Sequence, residues 1–254
     1  MLKKIFIVVF VSLVLAVVSQ TFCEAQTAEE SLVLYLPFDE GSGGTAEDHS
    51  ELFQNDGTLE GGDWVNGKLN KALSFDGSSY VGVMPGGEVS IGQGTTWAFW
   101  FKTDVEGQTA YLAVLHGTMM LHLSSGSINA EVWTNPGGAL WNPVNSGVAP
   151  KSGEWYHVAA TWSQDSGEIT VYINGEEQAS AVAAGAASFK GGRQLAIAGN
   201  DQLTYPGEGL LRGVIDDFRI YNRALSEAEI MEIILALAVS HKGKLAATWG
   251  EMKN

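Results

Sequence analysis

Three sets of side chains in this sequence are of types that could do chemistry: an acidic run, five histidines, and aromatics set among amides. The acidic run is Glu227-Ala-Glu229-Ile-Met-Glu232. Retaining cleavage of a glycosidic bond requires two carboxyl groups about 5 to 5.5 Å apart, which a strand provides by alternating acidic residues on one face. Here Ser226 and Glu229 form a capping box and Leu225 and Ile230 a hydrophobic staple, so the run is expected to open a helix, where carboxylates favour the N-terminal dipole. His49, His116, His122, His157 and His241 show neither the i,i+4 helical pair nor the cysteine partner of a zinc site. His157 sits among aromatics in a strand pattern and is expected to be packed or at an edge. There is no G-x-S-x-G elbow, phosphate-cradling loop or dinucleotide fingerprint. The chain is therefore expected to be non-catalytic.

The aromatic set favours recognition. Trp133, Trp141 and Tyr205 lie in or beside "WTNPGGALWNPVN" and "GNDQLTYPGEG", amid Asn135, Asn142, Asn200, Asp201 and Gln202. A flat ring matches the C–H face of a pyranose, and neighbouring amides can take its hydroxyls. Trp133, Trp141, Asn142, Asn200, Asp201 and Tyr205 are the ligand-binding candidates. The alternative is that Trp133 closes a strand, Trp141 anchors a loop and Tyr205 precedes Pro206 in a turn. Trp64, Trp97, Trp100, Trp155 and Trp162 are assigned to the core or scaffold.

The elements that must position these groups read as mostly β. Short runs rich in β-branched and aromatic residues, separated by Gly, Asn, Asp and Ser, recur from Leu32 almost to Tyr221, a spacing that favours a sandwich over a parallel sheet. Strands are expected at 32–37, 72–75, 80–84, 95–102, 111–115, 121–123, 128–133, 155–162, 169–173, 195–198 and 213–221. Asn174-Gly175 supplies the two positive-φ residues of a type I′ hairpin turn. In Trp97-Ala-Phe-Trp-Phe-Lys102, Trp97, Phe99 and Phe101 share one face and Ala98, Trp100 and Lys102 the other. The helix from Ser226 is expected to reach about Val239, too short to span a bilayer, and to pack on the sandwich. Residues 241–254 form a weakly patterned tail.

Length and charge bound the rest. The 254 residues, 45% of them hydrophobic, can bury a substantial core. A formal charge of −15 excludes the basic face a polyanion would need, so nucleic acid is not an expected partner. Lys3-Lys4 followed by an apolar run from Ile5 to Val18 and small residues at Cys23 and Ala25 make residues 1–25 an expected secretory signal peptide. Cleavage after Ala25 would remove the single cysteine and leave no membrane span. The mature chain would be secreted, cell-surface or periplasmic, bacterial in style.

The segments "LYLPFDEGSGG", "GKLNKALSFDGSSYVGV", "TWAFWFKT", "GEWYHVAATWSQDSGEITVYINGE" and "LRGVIDDFRIYNRALSEAEI" occur in an order and spacing that resembles the laminin-G-like, concanavalin A-like family. The resemblance covers roughly residues 32–233 and implies an all-β jelly-roll β-sandwich of two antiparallel sheets, six or seven strands each, with a short C-terminal helix, over a domain at 26–240. It also implies a structural calcium ion between the opening and closing strands, held by Asp39, Asp76, Gly77 and Asp216. Calcium accepts such a mixture of carboxylate and carbonyl oxygens. The alternative is that Asp39 and Asp76 make turns while Asp216 and Asp217 pair with Arg212 or Arg219. The expected role is a secreted module binding an extracellular carbohydrate or glycoprotein, with protein adhesion second and a glycoside hydrolase of this fold third.

Overall fold

The computed structural model describes residues 30–235 apart from 52–53, 85–92, 136–139, 142, 183–184, 188–192 and 201–208; at 135, 140–141 and 186–187 it describes the backbone alone. Two antiparallel sheets face each other. The first contains β1 (Leu32–Leu36), β4 (Asp63–Asn66), β5 (Lys71–Asp76), β7 (Gly94–Thr103), β13 (Trp155–Ser163), β14 (Glu168–Ile173), β15 (Glu176–Val182) and β18 (Arg212–Tyr221). Its order is β15-β14-β13-β7-β18-β5-β4, with β1 also on β18. The second contains β2 (Thr45–Ala46), β3 (Gly57–Glu60), β6 (Tyr80–Val83), β8 (Ala110–Leu115), β9 (Met119–Ser124), β10 (Ser127–Asn135), β11 (Leu140–Trp141), β12 (Val144–Asn145), β16 (Ala186–Ala187) and β17 (Leu195–Ile197). Its order is β11-β10-β9-β8-β17-β6-β3-β2, with β12 and β16 also on β10.

The expected strands all form, and the expected sandwich of two antiparallel sheets is present. The sheets are wider than six or seven strands because of additions such as β2, β11, β12 and β16, each only two residues long. Such pieces carry too little alternation to be seen as a pattern. The inward faces interdigitate as alternation dictates. Trp97, Phe99 and Phe101 of β7 meet Leu112 and Leu115 of β8, Leu121 of β9 and Val132 of β10 in one core. A fully buried Trp162 and Phe218 complete it, each such side chain contributing on the order of 1.5–3 kcal/mol.

On the outward face of the first sheet lies helix α1, residues 227–235. Ser226 Oγ accepts from Glu229 N at 3.4 Å and Glu229 Oε2 accepts from Ser226 N at 2.9 Å, so the capping box is formed. Leu225 and Ile230 pack together with Ala98, Ala159, Tyr172 and Tyr221, which is the staple docking the helix on the sheet. The helix is described to 235; the expected extension to Val239, the signal segment and the 241–254 tail lie outside the described residues. The hairpin turn is type I′ in character, with φ of 55° at Asn174 and 87° at Gly175. A Cβ on Gly175 would lie 2.5 Å from Met231 Cε, so this glycine also admits the helix.

Candidate functional site

Two places collect polar groups, one in each sheet. The first arises from a change of partner along β18. Its residues 212–215 pair with β5, while 218–221 pair with β1 on the same side. At the changeover β18 bulges between Asp216 and Arg219, and Asp217 takes φ 55°. The chain leaving β1 at Asp39 and the turn entering β5 at 67–71 both converge there. Asp216 Oδ2 accepts from Lys68 N at 2.8 Å and Leu69 N at 3.0 Å. Asp39 accepts from Lys71 N at 3.0 Å and from Asn70 Nδ2 at 2.8 Å.

Asp216 is completely buried and its Oδ1 has no hydrogen-bond partner. Burial pushes its carboxyl up to about 7, against the lowering effect of the Leu69 and Lys68 amides and with a further push from Asp217 and Asp39. A Cβ on Gly67 would lie 2.5 Å from Asp216 Oδ2 and 2.6 Å from the Lys71 carbonyl oxygen. Only glycine leaves room for those two oxygens. Asp217 is engaged elsewhere: its Oδ1 accepts from Arg219 Nη2 at 3.0 Å, and Arg219 lies 4.2 Å over the Tyr35 ring. The bulge thus turns Asp216 towards the 67–71 turn and Asp217 towards Arg219 and Tyr35 of β1.

Asp76 and Gly77 are not brought to this place. Asp76 registers with Arg212, four residues along β18 from Asp216, so at about 3.3 Å per residue the two sit roughly 13 Å apart. Its Oδ1 accepts from Ser78 N, Ser78 Oγ and Ser79 Oγ, which closes a tight turn and holds its carboxyl below the ordinary range. The turn that belongs with Asp39 and Asp216 is instead 67–71, at the other end of β5. Its signal in the sequence was Gly67 between Asn66 and Lys68.

The second place is the outward face of the second sheet, where Val114, Met120, Ala196 and Trp133 pack together beside Tyr111. At one end the Trp133 ring meets the His116 ring at 5.6 Å, and His116 Nε2 is bonded to Asn200 Oδ1. Trp133 and Trp141 are direct register partners across β10 and β11. Two expected ligand residues, Trp133 and Asn200, are thus joined through His116, and the backbone of a third pairs with Trp133. The side chain of Trp141 and all of Asn142, Asp201 and Tyr205 lie outside the described residues. Along the same face His122 and Tyr111 are register partners with rings 6.1 Å apart, and His122 Nε2 lies 2.9 Å from Glu131 Oε1. Sequence reasoning missed Tyr111, His116, His122 and Glu131 as site residues, although the alternation Asn129, Glu131, Trp133 puts Glu131 on the face of Trp133.

The acidic run at 227–232 is in α1, where Glu229 pairs with Arg223. His157 is buried, T-shaped against Trp100 at 5.2 Å, and burial lowers its imidazole to about 3.

Residues 75–231 match the family described as Laminin_G_3, concanavalin A-like lectin/glucanases superfamily. The chain belongs to that family. Among solved structures, domain 4 of an extracellular arabinanase from Geobacillus stearothermophilus, in complex with arabinotriose, is similar at TM-score 0.63, with 24% identity over 80% of this chain and 97% of that one. The binding domain of Paraclostridial Mosquitocidal Protein 1 is similar at TM-score 0.64 and 18% identity, over 81% of this chain and 52% of that one. The receptor-binding domain of a botulinum neurotoxin C/D mosaic gives 0.62 and 18%, over 81% and 51%. This Laminin_G_3 chain therefore spans about half the length of the toxin domains. In sequence, an adhesion G protein-coupled receptor D2 of Homo sapiens is 33% identical over 82 residues, 31% of this chain and 8% of the receptor. The two toxin structures are described as binding domains, and the arabinanase domain as a complex with arabinotriose. Among the described residues no helix is long and apolar enough to cross a membrane.

Proposed function

We propose that this Laminin_G_3 domain is a non-catalytic module that binds carbohydrate on the outward face of its second sheet. The observation that carries the reading is the junction of Trp133, His116 and Asn200. It sets an aromatic ring beside imidazole and amide groups over apolar side chains; Trp133 and Asn200 are buried, 5% and 2% exposed, so a sugar would engage the rim of this cluster. The arabinotriose complex of the arabinanase domain supports the same ligand class on the same fold. A glycan array probed with the secreted chain tests it. Binding to a restricted set of glycans is expected, and because Trp133 is buried, Trp133→Phe, which keeps most of the packing, is expected to weaken it. An empty array, with capture by immobilised protein instead, would favour the adhesion reading.

We further propose a structural calcium ion at the first place. The donors fit: an unpartnered, desolvated Asp216 Oδ1, a second carboxylate on Asp39, and a backbone oxygen at Lys71. Among the described residues no group of three or more His, Cys, Asp or Glu is gathered, so carbonyls and water would complete the shell, as calcium allows. Bound there, the cation would supply positive charge to the junction of β1, β5 and β18. Secretion through removal of residues 1–25 belongs to the same reading.

A further inference from the structure

The carbohydrate reading leaves unanswered which sugars the outward face accepts, and the groups next to Trp133 bear on that. Glu131 lies two residues before Trp133 on β10 and therefore on the same face. Its side chain is 11% exposed and that of His122 is 15% exposed. His122 Nε2 lies 2.9 Å from Glu131 Oε1, while the other carboxylate oxygen, Glu131 Oε2, is buried without a hydrogen-bond partner among the described residues. Burying a carboxylate oxygen with nothing to accept from is costly. Such atoms mark a place where a partner is missing.

Strands β8, β9 and β10 contain no Lys or Arg, and the whole chain carries −15. An anionic sugar brought here would meet a carboxylate in a poorly solvated place with no cation on these strands to offset it. A neutral sugar would instead donate a hydroxyl proton to Glu131 Oε2 and offer an oxygen to His122.

Resting on the carbohydrate reading, we propose that Glu131 and His122 are the polar half of that site and restrict it to uncharged, hydroxyl-rich sugars, excluding uronic and other acidic ones. Calorimetric titration of the intact secreted chain with arabinotriose, cellotriose and trigalacturonic acid tests this, repeated with Glu131→Gln. At least one neutral trisaccharide should bind at least tenfold tighter than trigalacturonic acid. Glu131→Gln keeps the shape but removes the charged acceptor, and should weaken that neutral ligand about tenfold or more. Trigalacturonic acid binding as tightly as the neutral sugars, or Glu131→Gln binding them like the parent, would overturn the proposal while sparing the carbohydrate reading. Binding of none of the three would overturn both. The wild-type comparison stands even should the variant fail to fold.

Discussion

At the scale of the residue, Asp216 is a buried carboxyl whose Oδ1 has no hydrogen-bond partner among the described residues. Its folded pKa, about 7, lies above the ordinary value near 3.9, so the native state holds a proton that the unfolded chain has already released between those pH values. Stability from this group is therefore fully present below about pH 4 and lost as pH rises through 7, an effect of at most about 4 kcal/mol. His157 acts in the opposite sense. Its imidazole, lowered to about 3, stays neutral in the fold while the unfolded chain protonates below about 6.5, so it removes stability as pH falls from 6.5 towards 3. The two offset each other between about pH 4 and 6.5, and the Asp216 slope stands alone just above. In chelator, the wild type should melt progressively lower from pH 6.5 to 8, and added calcium should restore the melt. Asp216→Asn, which keeps the Oδ acceptor for Lys68 and Leu69, should melt higher than wild type in chelator at pH 8 and ignore calcium. Thermal melts of both proteins, with and without chelator, check this; a wild type indifferent to both pH and calcium would count against it.

At the scale of the element, the turn at 174–175 and helix α1 were legible because each rests on local chemistry. Asn-Gly demands positive φ, and Ser226, Glu229, Leu225 and Ile230 are a cap and a staple wherever they occur. What could not be read was that the two meet, with Met231 and Ile234 lying against Gly175. Gly175→Ala should therefore destabilise by more than about 1 kcal/mol, through both the positive φ and the clash with the helix; urea titration measures it, and an unchanged midpoint would show that the helix can give way. The changeover on β18 was illegible for a related reason. "FDE", "GKLNK" and "IDD" are far apart in sequence, and the bulge that turns Asp216 towards the 67–71 turn, rather than Asp76, is a property of pairing between three strands. Alternation along one strand does not contain it.

At the scale of the molecule, alternation of apolar residues decided the sandwich, since each strand must send one face to a shared core. It decided the outward face less well. Isolated aromatics drew attention to Trp133, Trp141 and Tyr205, whereas Tyr111, His122 and Glu131 sit inside strands and look like ordinary alternating positions until β8, β9 and β10 are laid side by side. The laminin-G-like frame is shared with arabinanase and toxin domains at under 25% identity, so ligand choice must come from what each chain mounts on that frame. In the proposed reading the mounting is on the second sheet, while α1 packs on the first. Hydrogen–deuterium exchange of the intact chain, with and without a neutral trisaccharide that binds it, tests this assignment most directly. Protection on binding should fall on peptides covering β8, β9 and β10, around Tyr111, His122, Glu131 and Trp133. Protection confined to β13, β14 and β15, with those three strands unchanged, would contradict it.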